Sequence, residues 1–345
     1  MKLLQKHYVI VLETNLKKSG SVKNMSNEID DVFSNEFEDT LKRTVKKSRK
    51  KLNLKIILIT FISTLLIIFL GNLGLTFLSD KYIKSQFYKD LNIKTMEYQI
   101  KYPNEYITHQ NYLETGYFKF QSTYDISKTI GSRLLLANIT NTLGGLNKNS
   151  FIHDSYLISK PFPSLDNDIN NRPSSSYGLR HLNFLYPYVN YENTINDFKL
   201  LNEIDNSKTL EMALSFDDGY SYDQVNTLID SSLITFYWVD ISNEENRTYE
   251  IQNKTYENDT SAIGIKSINY NGNTINDVND RLNKFKDSLQ YLRANGEYGV
   301  VDNDFNADNI KINGVVVVGH PNELKILENN KIIKHAMIGT VVDKY

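Results

Sequence analysis

Apolar and polar positions fall into three successive patterns along this chain. Ile29, Phe33, Phe37, Leu41 and Val45 recur every four residues with Val32 beside them, which predicts an amphipathic helix with Ser26 as its N-cap. Ile56 to Leu78 then runs 23 residues without a charge. As a helix it reaches about 35 Å, enough to cross a ~30 Å hydrocarbon core. Beyond it KYIKSQFYKDL continues the helix. MEYQIKYPNEY and GYFKFQSTYDIS alternate apolar and polar residues as half-buried strands do, so residues 95 to about 150 read as a strand-rich module.

The rest mixes helices and strands. NTLGGLNKNS and KPFPSLDNDINNRPSSSYG read as loops, and the second marks a boundary near residue 175. ENTINDFKLLNEI reads as a helix. TLEMALSF, LITFYWVDIS, SAIGIKSI, GVVVVGH and IIKHAMIGTVVD read as strands. Ser221 and Gln224 form a capping-box pattern that opens a short helix. Thr274 opens a long one, with Val278, Leu282, Phe285, Leu289 and Leu292 on one face. NADNIKI is a further helical stretch, and Pro321 sits at the first position of PNELKILEN. The expected fold class is α+β: a single transmembrane helix, a short cytoplasmic amphipathic helix and a mixed α+β extracytoplasmic region. The expected divisions are 1–24, a poorly ordered or mis-assigned leader with Met25 as the true start; 25–55, the amphipathic and basic helix; 56–78, the span; 79–175, a juxtamembrane helix and strand-rich module; and 176–345, an α+β module.

Charge orients the span. Lys42, Arg43, Lys46, Lys47, Arg49, Lys50, Lys51 and Lys55 precede it with no acid among them, whereas Asp80, Lys81, Lys84, Lys89, Asp90 and Lys94 after it are sparse and mixed. Cations beside a span are retained in the cytoplasm, so the amino terminus is expected inside and the carboxyl domain outside. The apolar run is too long and too far along for a cleaved signal, and reads as a signal anchor. The basic residues then serve topology and anionic lipid rather than nucleic acid, and the net charge of −2 gives no reason to expect a polyanionic partner. No cysteine is present, which excludes disulfides, thiolate metal sites and cysteine nucleophiles. The 41 asparagines make the sequons at Asn138, Asn246, Asn253 and Asn258 chance matches in an amide-rich chain.

The first stripe needs a cover. A lone helix has no core in which to bury Phe33 and Phe37, and the acids Glu28, Asp30, Asp31, Glu36, Glu38 and Asp39 argue against its lying on an anionic membrane. Docking on a partner fits best, with self-association next.

Candidate chemistry is thin. Ser215-Phe216-Asp217-Asp218-Gly219 resembles the aspartate motif of polysaccharide deacetylases, which pair an aspartate with two histidines four apart. The histidines here stand at 7, 109, 153, 181, 320 and 335, with no such spacing, so Asp217, Asp218 and Gly219 are expected to form a turn. Neither a phosphate-binding loop, nor G-x-S-x-G, nor H-E-x-x-H occurs. His153-Asp154-Ser155 has triad residue types only by adjacency, His320 caps the helix begun by Pro321, and Trp238 is expected in the core. Gly71 and Gly74 lack the spacing of a dimerisation motif. Catalytic residues, metal ligands and cofactors are all expected to be none.

The order of several phrases resembles the sigma factor regulator family of Gram-positive bacteria: LKRTVKKSRKK, the span and MEYQIKYPNEYITHQNYLETGYFKFQSTYDI, then LEMALSFDDGYSYDQV, ITFYWVD, LQYLRANGEYG, GVVVVGHPNELKIL and IGTVVD. The resemblance implies a single-pass membrane anti-sigma factor that holds an extracytoplasmic-function sigma factor away from RNA polymerase. Its outer domain would respond to envelope state or stress, alone or with a second membrane regulator. Ile29, Val32, Phe33, Phe37, Leu41 and Val45, taken from periodicity, are the candidate sigma-binding face. The alternatives are an envelope deacetylase-like enzyme using Asp217 and Asp218, and a structural membrane-assembly protein.

Overall fold

The computed structural model describes residues 35–146, 152–153, 174, 177–296 and 310–343. Met25, Ser26, Ile29, Val32 and Phe33, and most of the loop expected before residue 175, lie outside them. The chain divides into two compact units, residues 1–76 and 77–345.

The described part of the first unit is helix. It belongs to α1 (Asn35–Ile100), so the amphipathic stretch and the apolar run form one continuous element rather than two. The apolar run makes α1 long and apolar enough to cross a membrane. Its hydroxyls are satisfied internally: Thr60, Ser63 and Thr64 each donate to the carbonyl four residues back, at 2.8 Å.

In the second unit α1 runs on through Ile100, so MEYQI is helical and not a strand. Two apolar faces explain this. Ile83, Phe87 and Tyr98 pack on an antiparallel sheet of β1 (Glu105–Gly116), β2 (Lys119–Ile130), β3 (Arg133–Gly145) and β4 (Ile152–His153), against Phe120, Tyr124 and Ile126. Ile93, Met96 and Ile100 pack instead into the core of the carboxyl module. Helical spacing outweighs the local alternation because both faces are covered. NTLGG, expected as a loop, pairs along β2 as the end of β3.

The carboxyl module is built on a second antiparallel sheet. Its strands are β6 (Thr209–Ser221), β7 (Ile234–Val239), β9 (Gly264–Lys266), β10 (Lys311–Gly319) and β11 (Ile333–Val342), in the order β11-β6-β10-β7-β9. Both faces are buried, which explains continuous apolar runs such as GVVVVG. Leu210, Met212, Leu214 and Phe216 of β6 and Val315 and Val317 of β10 enter one core. Ala213 and Val316 enter the other, with Phe236, Trp238 and Met337. The first core is closed by α2 (Tyr222–Leu228), α4 (Val278–Ala294) and α5 (Pro321–Lys325). The second lies under Leu182 to Ile195, including β5 (Asn183–Phe184), which pairs with β8 (Glu257–Asn258).

Several local expectations are met. Ser221 and Gln224 complete the capping box of α2. Pro321 opens α5, where the Glu323 carboxylate accepts the His320 backbone N–H at 2.8 Å. Others are corrected. The stretch ENTINDFKLLNEI yields only a 3-10 turn, Asp197–Asn202. The long helix α4 is capped by Asp277, not Thr274, and Val278 is exposed while Phe285, Leu289 and Leu292 are buried. The short helix α3 (Glu244–Asn253), capped by Asn243, was not anticipated. Asp217, Asp218 and Gly219 form no turn: they continue β6, whose register against β10 shifts between Ser215 and Tyr220 as a bulge.

Candidate functional site

Of the predicted sigma-binding face, the structure places Phe37, Leu41 and Val45 on α1, with 46%, 48% and 45% of their surface exposed. All described side chains from Phe37 to Leu78 are exposed. The eight cations Lys42, Arg43, Lys46, Lys47, Arg49, Lys50, Lys51 and Lys55 lie on the same helix, the first two within the stripe and the other six between it and the apolar run, all exposed. Lys42 pairs with Glu38 at 3.1 Å, an exposed contact that contributes little.

The aspartates of the deacetylase-like phrase are spent locally. Asp217 accepts the Tyr220 hydroxyl at 2.7 Å, and Asp218 accepts the Gly219 N–H at 2.7 Å. No group of three His, Cys, Asp or Glu with metal-holding geometry occurs among the described residues. His320 donates from Nδ1 to the Lys208 carbonyl at 2.7 Å, and Trp238 is buried against Phe184 and Tyr186. His153 lies on β4, its backbone paired with Asn141 of β3.

A cluster of charges with no local motif in the sequence lies where the β1–β3 sheet meets the carboxyl module. Lys128 of β2 places Nζ 2.7 Å from Glu211 Oε1 of β6, and 3.9 Å from both Glu105 Oε1 of β1 and Asp259 Oδ2. Glu211 also accepts from the Asn104 side chain at 3.0 Å and from the Thr340 backbone N–H at 3.2 Å. Asn104 takes a left-handed conformation, φ 62°, which asparagine tolerates. Asp259 accepts from His181 Nδ1 at 2.9 Å and from the Leu182 N–H at 3.1 Å. Lys266 of β9 donates to the Glu105 carbonyl and lies 4.2 Å from the centre of the Tyr106 ring. Gly339 makes room for this arrangement, since a Cβ there would stand 2.8 Å from Glu211 Cγ.

Electrostatics follow from these neighbours. Burial disfavours the Lys128 charge, but the carboxylates of Glu211, Asp259 and Glu105 outweigh it and raise its pKa. Burial likewise opposes charge on His181, and Asp259 overcomes it, raising the imidazole above its ordinary value. Burial would raise Asp259, yet His181 and Lys128 hold it below the usual carboxylate range. Lys266 has no direct carboxylate, so burial pushes it down to about 7 against the pull of Glu105.

One signal for this cluster is present in the sequence. Tyr124, Ile126 and Ile130 point inward along β2, and Lys128 occupies the same period-two register. A lysine in an inward register requires a counter-charge from elsewhere in the chain, and no local pattern names the donor.

Beside this junction an open cleft of about 720 Å³ is lined by Arg133 and Leu135 of β3, Arg180, Glu203 and the 338–343 end of β11. It borders both modules at the outer edge of the carboxyl sheet.

A helix able to cross a membrane thus runs into an α+β region whose two modules share a buried ion cluster. The chain belongs to the sigma factor regulator family: the sigma factor regulator N-terminal family matches residues 42–133, and the sigma factor regulator C-terminal family matches residues 201–340. No curated protein and no solved structure matches it. Lys128 falls in the first match and Glu211 in the second, so the buried pair joins the two family modules.

Proposed function

We propose that this sigma factor regulator is a single-pass anti-sigma factor with its amino terminus inside, gripping an extracytoplasmic-function sigma factor through the face of Ile29, Val32, Phe33, Phe37, Leu41 and Val45. The exposed row of Phe37, Leu41 and Val45 carries the reading. A bulky apolar row on a helix with no core of its own needs a partner groove, and family membership makes that partner a sigma factor. The eight cations from Lys42 to Lys55, on the amino-terminal side of the apolar run, support a cytoplasmic position for the row, where a sigma factor is found. The second unit is then the outer sensor, responding to envelope state alone or with a second membrane regulator. A ligand in the Arg133–Arg180 cleft would bear on both of its modules.

This reading assigns the protein no enzymatic activity, no cofactor and no direct nucleic-acid contact. The local bonding of Asp217 and Asp218 supports it against the deacetylase-like alternative. The test is co-purification of the full chain from its own membranes. A sigma factor is expected with the wild type and not with Phe33→Asp/Phe37→Asp, at equal membrane levels. Unchanged co-purification sinks the binding face, and a functional chain lacking residues 25–50 favours the structural-assembly alternative.

A further inference from the structure

Asn104, Lys128 and Glu211 meet in the charged core in an arrangement that an ion pair alone does not require. Glu211 is held between an amine and an amide: Oε1 lies 2.7 Å from Lys128 Nζ, and Oε2 accepts from Asn104 Nδ2 at 3.0 Å. A nucleophile and a carboxamide are thus neighbours on the two oxygens of one carboxylate. Glu105 and Asp259 stand 3.9 Å from Nζ, too far to take its proton directly. All three side chains of the group are at most 1% exposed, so bulk water is excluded.

The backbone brings the amide to this place. Glu105 stands opposite Lys128 in the β1–β2 register, and the Asn104 carbonyl accepts the Thr129 N–H at 2.8 Å. Regular strand alternation would send the Asn104 and Lys128 side chains to opposite faces. The left-handed φ of 62° at Asn104 breaks the alternation, and both side chains reach Glu211. Asn104 Oδ1 is buried and has no hydrogen-bond partner among the described residues. An amide held by one end leaves its carbonyl open to an acid.

We propose that Lys128 and Asn104 become joined by an intramolecular isopeptide bond, with Glu211 carrying the protons and no other reactant taking part. The Lys128 ammonium first passes a proton to Glu211 Oε1. A half-turn of the amide exchanges Nδ2 for Oδ1, so the acid form of Glu211 donates to Oδ1 while the Nζ lone pair bonds to Cγ. A second proton leaves Nζ and passes through Glu211 to Nδ2. The Cγ–Nδ2 bond breaks, ammonia leaves, and the proton on Oδ1 returns to Glu211. One buried cation and one buried anion vanish together, so no charge is stranded. The reaction runs once per chain and acts on no other molecule. Because Glu211 belongs to the carboxyl module and both joined residues to the amino-terminal one, the bond forms only after the modules dock. It then ties the entry of β1 to β2 in a chain without cysteine, closing residues 104–128 into a loop.

Trypsin digestion of the purified, denatured full chain, read by tandem mass spectrometry, tests the bond. Unlinked chains give separate peptides 102–119 and 120–128, cut after Lys119 and Lys128. A linked chain resists cleavage at Lys128 and gives 102–119 joined to 120–133, lighter than the two together by one ammonia, about 17 Da. The branched peptide is expected as the main product of the wild type. Its yield should fall about tenfold or more in Glu211→Gln, which keeps the shape of the side chain but carries no proton. Lys128→Arg is the unlinked reference. Linear 102–119 and 120–128 as the main wild-type products overturn the proposal. So does a loss of ammonia confined to linear peptides, as cyclisation of an asparagine gives. A branched peptide undiminished in E211Q overturns the role of Glu211. Should E211Q fail to fold, the wild-type digest decides by itself.

Discussion

Lys128 Nζ stands 2.7 Å from Glu211 Oε1, and the two side chains, from different sheets, are 1% and 0% exposed. Around them Glu105, Asp259, His181 and Asn104 complete a network that leaves Lys128 surrounded by three carboxylates. Further bonds cross the same junction, from the Tyr106 hydroxyl to the Ile268 carbonyl at 2.7 Å and from Thr129 Oγ1 to the Tyr270 carbonyl at 2.8 Å. The two modules matched as separate families are therefore joined through a charged core.

Removing the cation should strand the three carboxylates. Lys128→Met is expected to cost about 3–5 kcal/mol of stability, because breaking a buried network leaves uncompensated charge. Lys128→Met combined with Glu211→Leu should cost less than the sum of the single changes, since they share one interaction. Urea denaturation of the four proteins measures both quantities; strict additivity would show that the pair is energetically uncoupled.

Lys266 gives a pH dependence of known sign. Its folded pKa, about 7, lies below the ordinary 10.5, so the protonated amine disfavours the folded state. That penalty is fully present below about 7 and is relieved as the pH rises toward 10.5. Relative to Lys266→Met, the wild type should gain stability across this window. His181 acts oppositely: its raised pKa contributes stability that is full below the ordinary 6.5 and lost as the pH rises through the folded value. Stability against pH for wild type, Lys266→Met and His181→Gln separates the two contributions.

The amino-terminal part of α1 should be sensitive by face. Phe37→Asp or Leu41→Asp is expected to weaken sigma binding about tenfold or more, the loss of an interface anchor. Thr40→Asp, off the stripe, should leave binding within about twofold, as peripheral contacts contribute little. Titration of the detergent-solubilised full chain with the captured sigma factor measures both, and equal losses at the three positions would refute a face-specific site.

Two glycines are set by strand packing. A Cβ at Gly264 would stand 2.1 Å from the Tyr237 carbonyl oxygen, and one at Gly314 would stand 2.3 Å from that of Leu214. Gly264→Ala and Gly314→Ala should each cost about 1–3 kcal/mol, the usual penalty of overpacking. Gly71→Ala, where a Cβ meets nothing within 4 Å, should be neutral in the same thermal unfolding assay.

Asp217→Asn/Asp218→Asn should leave sigma repression unchanged in a reporter strain, because both carboxylates bond within their own bulge. Loss of repression together with loss of acetyl release from envelope polysaccharide would restore the enzymatic alternative.

The sequence by itself determined what depends on neighbours along the chain. The apolar run needs only its own length and lack of charge to be a helix long and apolar enough to cross a membrane. The capping box of Ser221 and Gln224 and the opening of α5 at Pro321 are contacts within three residues, and both were legible. Strands buried on both faces, such as GVVVVG, announced themselves by continuous hydrophobicity. Tertiary structure decided the rest. MEYQI alternates like a strand but is helical because two cores receive its opposite faces. Asp217-Asp218-Gly219 has turn composition but stays extended because β10 and β11 pair on either side of β6. Lys128 reveals in sequence only an inward position. Its counter-charges come from residues 105, 211 and 259, and only folding brings them within 4 Å. Short-range hydrogen bonds and periodicity are written locally, whereas the pairing of a buried charge is a property of the closed interior.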